Sequence, residues 1–127
     1  MSANKVLKLM KDKEVDYLDL RFTDPRGKLQ HLTMDGKMVD EEMLNEGVFF
    51  DGSSIAGWKA INESDMILKP DLDRQVIDPF TSHNTLILFC DILDAVKKDP
   101  YERDPRSIAK KAEAYLKKTG IGDKAYF

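Results

Sequence analysis

Residues 85–92, TLILFCDI, are the strongest strand signal in the chain and predict its central strand. Aliphatic and aromatic side chains on both faces of this run indicate a strand that is covered on both sides. The run contains Cys90, which is the only cysteine, so the chain cannot form an internal disulfide. We interpret Cys90 as a buried, unreactive thiol in a reducing compartment. The rest of the fold is expected to be built around this strand.

The residues before the central strand predict an alternation of helices and strands. The expected elements are a helix over 2–14, a hairpin of strands 17–23 and 28–34 joined by the turn 24–27, a helix over 39–47, and short strands at 65–70 and 74–78. In residues 17–23, Leu18, Leu20 and Phe22 alternate with polar residues, which is typical of a half-buried strand. This order predicts an α+β fold, a mixed sheet crossed by a helix of the β-grasp (ubiquitin-like) kind.

The residues after the central strand predict a linker and one more helix. Residues 94–107 are polar and carry two prolines, as linkers often do. Asp104 and Pro105 have the chemistry of a helix start, and Gly120 that of a helix end. The apolar stripe of this helix is expected at Ile108, Ala109, Ala112, Tyr115 and Leu116. We predict a first domain at 1–96 and a second unit at 97–127, where KAYF (124–127) would begin a strand of a longer protein.

The composition excludes several classes of protein. The 127 residues are 42% hydrophobic and 34% charged, with a net charge of −3. This near balance provides no strong field for nucleic acid or for an anionic membrane. No apolar run approaches the roughly 18 residues that span a bilayer, and lysines interrupt the N-terminal segment where a signal peptide would be apolar. The cytoplasm is the expected location.

The segment FDGSSIAGW (50–58) is the candidate functional loop. Gly52 and Gly57 permit sharp turns, and the serines can bond local amides. One interpretation is a surface turn whose Trp58 folds back onto the domain. The other is a site in which Trp58 anchors an interface and Asp51 offers a carboxylate to a cation, completing the site of a neighbouring subunit.

Other motifs fail on their chemistry. Residues 47–54 nearly match a phosphate-binding loop, but Ser53 replaces the lysine, Asp51 would repel phosphate, and the preceding segment predicts a helix where a strand is needed. His31 and His83 lack further ligands at zinc spacing. A triad of Ser53, His83 and Asp51 has no support in the spacing.

The stretch FDGSSIAGWKAINESDMIL (50–68) resembles the N-terminal signature of glutamine synthetases. Its pattern is an aromatic residue, D-G-S-S, a spacer of eight, and E-S-D-x-x-L. Residues 15–31, 76–80, 85–92 and 101–121 look like the bacterial type I enzyme as well. The resemblance implies an N-terminal β-grasp domain, a larger catalytic barrel, and two stacked hexameric rings. Each active site would lie between identical subunits, closed by the N-terminal domain of one of them.

The resemblance also implies roles for residues of the loop. Asp51 matches the acid that reaches the neighbour's ammonium site, and Ser54 matches the accompanying hydroxyl, so both are catalytic candidates. Gly52, Ser53, Trp58 and Asp65 would belong to the intersubunit loop. The enzyme would use ATP with Mg²⁺ or Mn²⁺ to form γ-glutamyl phosphate from glutamate, which ammonia converts to glutamine. Metal, ATP and glutamate sites would lie beyond Phe127, so residues 1–127 are expected to bind none of these and to be inactive alone.

Two other functions remain open. The chain could be a non-catalytic β-grasp module that binds partner proteins through the tryptophan loop. It could also belong to a γ-glutamyl ligase that acts on an amine other than ammonia. An uninterrupted reading frame of several hundred residues past Phe127 would favour the enzyme over the interaction module. An assay of ammonium against other amines would distinguish the two ligases.

Overall fold

Five strands form one sheet in the order β2-β1-β5-β4-β3. The computed structural model describes residues 1–58 and 65–126. Its elements are α1 (Ala3–Asp12), β1 (Tyr17–Thr23), β2 (Leu29–Asp35), α2 (Glu41–Glu46), β3 (Val48–Asp51), β4 (Asp65–Ile77), β5 (Thr85–Asp94) and α3 (Pro105–Thr119). None of the helices in these described ranges is both long and apolar enough to cross a membrane.

The strand β5 is the centre of the sheet, as predicted. It pairs in parallel with β1, placing Leu20 opposite Leu88, and antiparallel with β4, placing Pro70 opposite Cys90. The sheet is therefore mixed, as the element order predicted. Cys90 is 1% exposed, which confirms that its thiol is buried. Burial raises the pKa of this thiol, so little of it is in the reactive thiolate form.

The helices α1 and α2 share one core with the sheet. α1 buries Ala3, Val6 and Met10, and α2 buries Leu44. They join the alternate apolar residues of the strands, such as Leu18 and Leu88, in a single cluster. α2 ends at Gly47, whose φ of 91° suits glycine and explains the predicted stop.

Two strands differ from the prediction. β3 was not predicted from the sequence, because Phe49 is 66% exposed and a run of only four residues carries little pattern. β4 runs unbroken from Asp65 to Ile77, where we predicted two short strands. The predicted break survives as a register shift between Pro70 and Gln75, which is where proline removes a ladder hydrogen bond.

The polar face of β1 is less exposed than its pattern predicted. Asp19 is 3% exposed and accepts hydrogen bonds from Arg21 Nε at 2.7 Å and from Thr33 Oγ1 at 2.8 Å, while His31 Nδ1 lies 2.7 Å from Asp19 Oδ1. Burial acts to raise the pKa of Asp19, but the hydrogen bonds from Arg21, His31 and Thr33 outweigh it and lower the pKa below its ordinary value.

The helix α3 is formed as predicted, but its apolar stripe does not pack as expected. Ile108 is 54% exposed and Tyr115 is 69% exposed, and the residue that α3 buries is Ser107. A salt bridge connects the helix to the sheet instead, since Arg106 Nε lies 2.8 Å from Asp91 Oδ1 on β5. The periodicity correctly predicted a helix, but it did not predict that apolar side chains of that helix would be exposed.

The predicted strand start at 124–127 is not observed. Residues 124–126 are not in a strand, because no strand among residues 1–58 and 65–126 pairs with them. Phe127 lies outside the described residues. The predicted boundary between 96 and 97 stays a prediction.

Candidate functional site

The candidate loop begins with a turn that is capped by its own aspartate. β3 ends at Asp51, and a 3₁₀ turn, Gly52–Ser54, follows directly. Asp51 Oδ1 accepts hydrogen bonds from the backbone N–H of Ser53 at 2.9 Å and from its hydroxyl at 2.7 Å. Asp, Gly and Ser favour such local bonds, which explains why the chain turns here. We call residues 51–54 the capped turn.

The capped turn keeps its predicted site residues near solvent. Asp51 and Ser54 are exposed, whereas Gly52 is buried in the turn. Asp65, the first residue of β4, is also exposed and lies directly opposite Asp51 in the β3–β4 register. Opposed residues on neighbouring strands lie close together on one face, and two like charges there repel. The strand ends therefore carry two neighbouring carboxylates.

Trp58, seven residues after Asp51, folds back onto the domain. It is 6% exposed and belongs to the hydrophobic core. Its ring stacks on Phe22 at a centroid distance of 5.7 Å and meets Tyr101 edge-on at 5.8 Å. Phe50 completes the cluster at 6.2 Å. The structure therefore agrees with the first interpretation for Trp58, which folds back onto the domain, and leaves Asp51 exposed. The role of Asp51 at a neighbouring subunit stays a prediction.

At the far end of the loop, neighbouring residues also contact the backbone of Gly57. Gly57 has a φ of 91°, and a side chain there would contact Pro25 in the β1–β2 turn at 3.8 Å. Arg103 Nη1 donates a hydrogen bond to the carbonyl oxygen of Gly57 at 3.1 Å. The loop thus touches both the first hairpin and the segment that leads into α3.

Sequence reasoning missed the residues that surround Trp58. Phe22 and Phe50 were assigned to a strand and to the loop, with no indication that they meet, although their ring centroids lie 5.4 Å apart. Tyr101 was assigned to a polar linker, yet it is 9% exposed. One signal was available, because Tyr101 is the only aromatic residue in the polar stretch 94–107.

The two histidines that were considered as metal ligands contact different side chains. His31 contacts Asp19, and His83 Nδ1 lies 3.8 Å from Asp16 Oδ2, so the two histidines have separate partners. Within residues 1–58 and 65–126 there is no group of three or more His, Cys, Asp or Glu residues that could hold a metal ion.

Comparisons with known proteins agree with the loop signature and the fold. Residues 14–95 match the family described as "Glutamine synthetase, beta-Grasp domain". The chain is 61% identical over 125 residues to the glutamine synthetase of Rhizobium meliloti, covering 98% of this chain and 27% of that protein. It is 55% identical over 127 residues to the glutamine synthetase of Escherichia coli K12, covering 100% of this chain and 27% of that protein.

Solved structures lead to the same family. A cryo-EM structure of Plasmodium falciparum glutamine synthetase aligns with a TM-score of 0.83 at 25% identity, covering 94% of this chain and 23% of that one. The structure of GmaS without ligand aligns with a TM-score of 0.77 at 18% identity, covering 87% of this chain and 25% of that one, and shows the fold alone. The chain spans about a quarter of the length of the curated relatives it matches. The β-grasp prediction is confirmed, and the chain belongs to the glutamine synthetase family, whose N-terminal β-grasp domain it contains.

Proposed function

We propose that this chain is the N-terminal domain of an enzyme that ligates ammonia to glutamate at the expense of ATP. The support is the match to glutamine synthetases over the whole chain together with the exposed carboxylate of Asp51 at the end of β3. The observation that carries the proposal is the geometry of the loop: Trp58 anchors its far end in the core, while Asp51 is exposed to solvent.

The role proposed for Asp51 is to bind ammonium and to accept a proton from it. A carboxylate attracts ammonium, and exclusion of water strengthens the attraction. Asp65, opposite Asp51, adds a second negative charge at the same strand ends. Removal of a proton from ammonium frees ammonia as the nucleophile, and an acid with an ordinary pKa of about 3.9 is a weak base for that step. The site that receives the loop must therefore acidify the bound ammonium or make Asp51 more basic.

The remaining parts of the reaction require residues outside those described. We propose that a neighbouring identical subunit receives the capped turn, with Ser54 beside Asp51, in a two-ring dodecamer located in the cytoplasm. ATP and Mg²⁺ or Mn²⁺ would serve to activate glutamate as γ-glutamyl phosphate. The role proposed for this chain is its contribution to the amine site.

The test is an assay of the complete gene product with glutamate, ATP, magnesium and ammonium. We expect glutamine that depends on ATP and on ammonium, and no glutamine from residues 1–127 alone. Parallel reactions replace ammonium with methylamine or with a polyamine. A higher kcat/KM for either amine would favour the ligase that acts on another amine, and no ATP-dependent product with any amine would favour the interaction module.

A further inference from the structure

The segment of residues 99–104, which we call the strap, is fixed to the end of the central strand. The backbone N–H of Asp94 donates to the carbonyl of Asp99 at 2.9 Å, and that of Tyr101 donates to the carbonyl of Ile92 at 2.8 Å. The N–H of Ile92 in turn donates to Asp104 Oδ2 at 3.3 Å. Bonds at the beginning, middle and end leave the strap little freedom to move relative to β5.

The strap holds the far end of the functional loop through two side chains. Tyr101 packs its ring edge-on against Trp58, and Arg103 donates to the carbonyl of Gly57. The ring contact buries apolar area, and the bond from a guanidinium is of the stronger, charge-assisted kind. Both contacts lie within two adjacent residues of the loop, so together they fix its direction.

Among the described residues, Trp58 is held by packing and not by its indole N–H. Its Nε1 is buried and has no hydrogen-bond acceptor among residues 1–58 and 65–126. Tryptophan N–H groups usually find an acceptor when buried, so the position of this ring depends on its neighbours and on its backbone. In the described part of the chain, the strap supplies one of the three aromatic neighbours and the bond to the preceding residue.

We infer that Tyr101 and Arg103 are positioning residues, which hold Gly57 and Trp58 so that the capped turn presents Asp51 in one orientation. The loop is thereby connected to α3, which begins directly after the strap. This inference rests on the proposed function only for its effect on ammonium. Its structural part concerns this chain alone.

The structural part is tested with the fluorescence of Trp58, the only tryptophan of the chain. The variant Arg103→Ala removes an exposed side chain, and Arg103→Lys restores a donor. Arg74→Ala, an exposed arginine of β4, is the matched control. We expect Arg103→Ala to raise acrylamide quenching of Trp58, Arg103→Lys to restore it in part, and the control to match wild type. Far-UV circular dichroism should be unchanged in all three.

The functional part uses the complete gene product. We expect Arg103→Ala to raise the KM for ammonium by roughly two- to tenfold, the range that corresponds to one net hydrogen bond, with the KM values for glutamate and ATP unchanged. Tyr101→Leu, which keeps an apolar side chain but removes the ring, should change the same constant.

Three outcomes decide the inference. Wild-type quenching of Trp58 in both Arg103→Ala and Tyr101→Leu would overturn it, as would equal changes in all three KM values. If the wild-type gene product makes no glutamine, the proposed function fails, and the quenching result still decides whether the strap holds the loop.

Discussion

Asp104 and Asp51 each cap a helical turn with their side chain, but they differ in burial and in the origin of their donors. Asp104 caps α3 and is 0% exposed, and its carboxylate accepts from the N–H of Arg106 at 3.1 Å and from both the N–H and the hydroxyl of Ser107 at 3.2 and 2.8 Å. The N–H of Ile92 on β5 is a fourth donor. Asp51 caps the 3₁₀ turn and is exposed, with the N–H and hydroxyl of Ser53 on one oxygen.

The difference separates a structural carboxylate from one suited to a ligand. Buried carboxylates are tolerated when donors surround them, and a carboxylate that is 0% exposed is not accessible to a substrate. Asp51 accepts both bonds from Ser53 on Oδ1, and its side chain is exposed at the surface of the domain. Local capping chemistry therefore does not distinguish the two aspartates, whereas their exposure and the origin of their donors do.

The largest effect on stability is expected from Asp104→Ala. The substitution removes a helix cap and leaves the buried N–H of Ile92 without its acceptor, which together should lower the free energy of unfolding by about 3 kcal/mol. Urea denaturation followed by circular dichroism measures this. Asp104→Asn keeps one acceptor oxygen and should cost less. A loss below about 1 kcal/mol, the typical value of a helix cap alone, would mean that the bond to β5 contributes nothing.

A smaller effect is expected from the protonation of Asp19, another buried carboxylate. Its folded-state pKa is lowered, so its stabilising contribution is present above the unfolded-state pKa of about 3.9 and is lost as the pH falls through the folded-state value. Other carboxylates titrate in the same range, so the comparison is between wild type and Asp19→Asn in urea at several pH values. The wild-type advantage should be full at about pH 6 and shrink below about pH 4. An advantage independent of pH would contradict the assignment.

The smallest effect on stability is expected from Asp51→Ala. The change removes an exposed cap of a single 3₁₀ turn, so it should cost about 0.5–1 kcal/mol. The same urea measurement applies, with Asp40→Ala, which removes the exposed cap of α2, as the matched control. A loss as large as that of Asp104→Ala would erase the distinction between the two aspartates.

Much of the fold could be predicted because the pattern of the sequence is regular where the sheet is regular. Alternation found β1 and β2, the doubly apolar run found β5, and Asp104 with Gly120 marked the ends of α3. Pro70 led to the prediction of two strands where the structure has one. A proline can mark either the end of a strand or a register shift within it, and the sequence does not distinguish the two.

What the pattern could not provide is partners distant in sequence. Asp19 alternates like a surface residue, but Arg21, His31 and Thr33 satisfy it and allow it to be buried. Tyr101 resembles a linker residue until Trp58 is placed against it, 43 residues earlier in the sequence. The exposed carboxylate of Asp51 was expected from the loop chemistry and the resemblance, whereas its anchored far end depends on contacts that no local motif encodes.

The central claim is that Asp51 serves ammonium rather than the fold, and ammonium kinetics of Asp51→Ala in the complete gene product test it most directly. The variant should assemble as wild type does, which native mass measurement establishes before the assay. We expect kcat/KM for ammonium to fall by roughly 10²-fold or more, the usual contribution of a positioned acid–base group, while the KM for glutamate stays near wild type. Wild-type ammonium kinetics in an intact Asp51→Ala oligomer would contradict the claim.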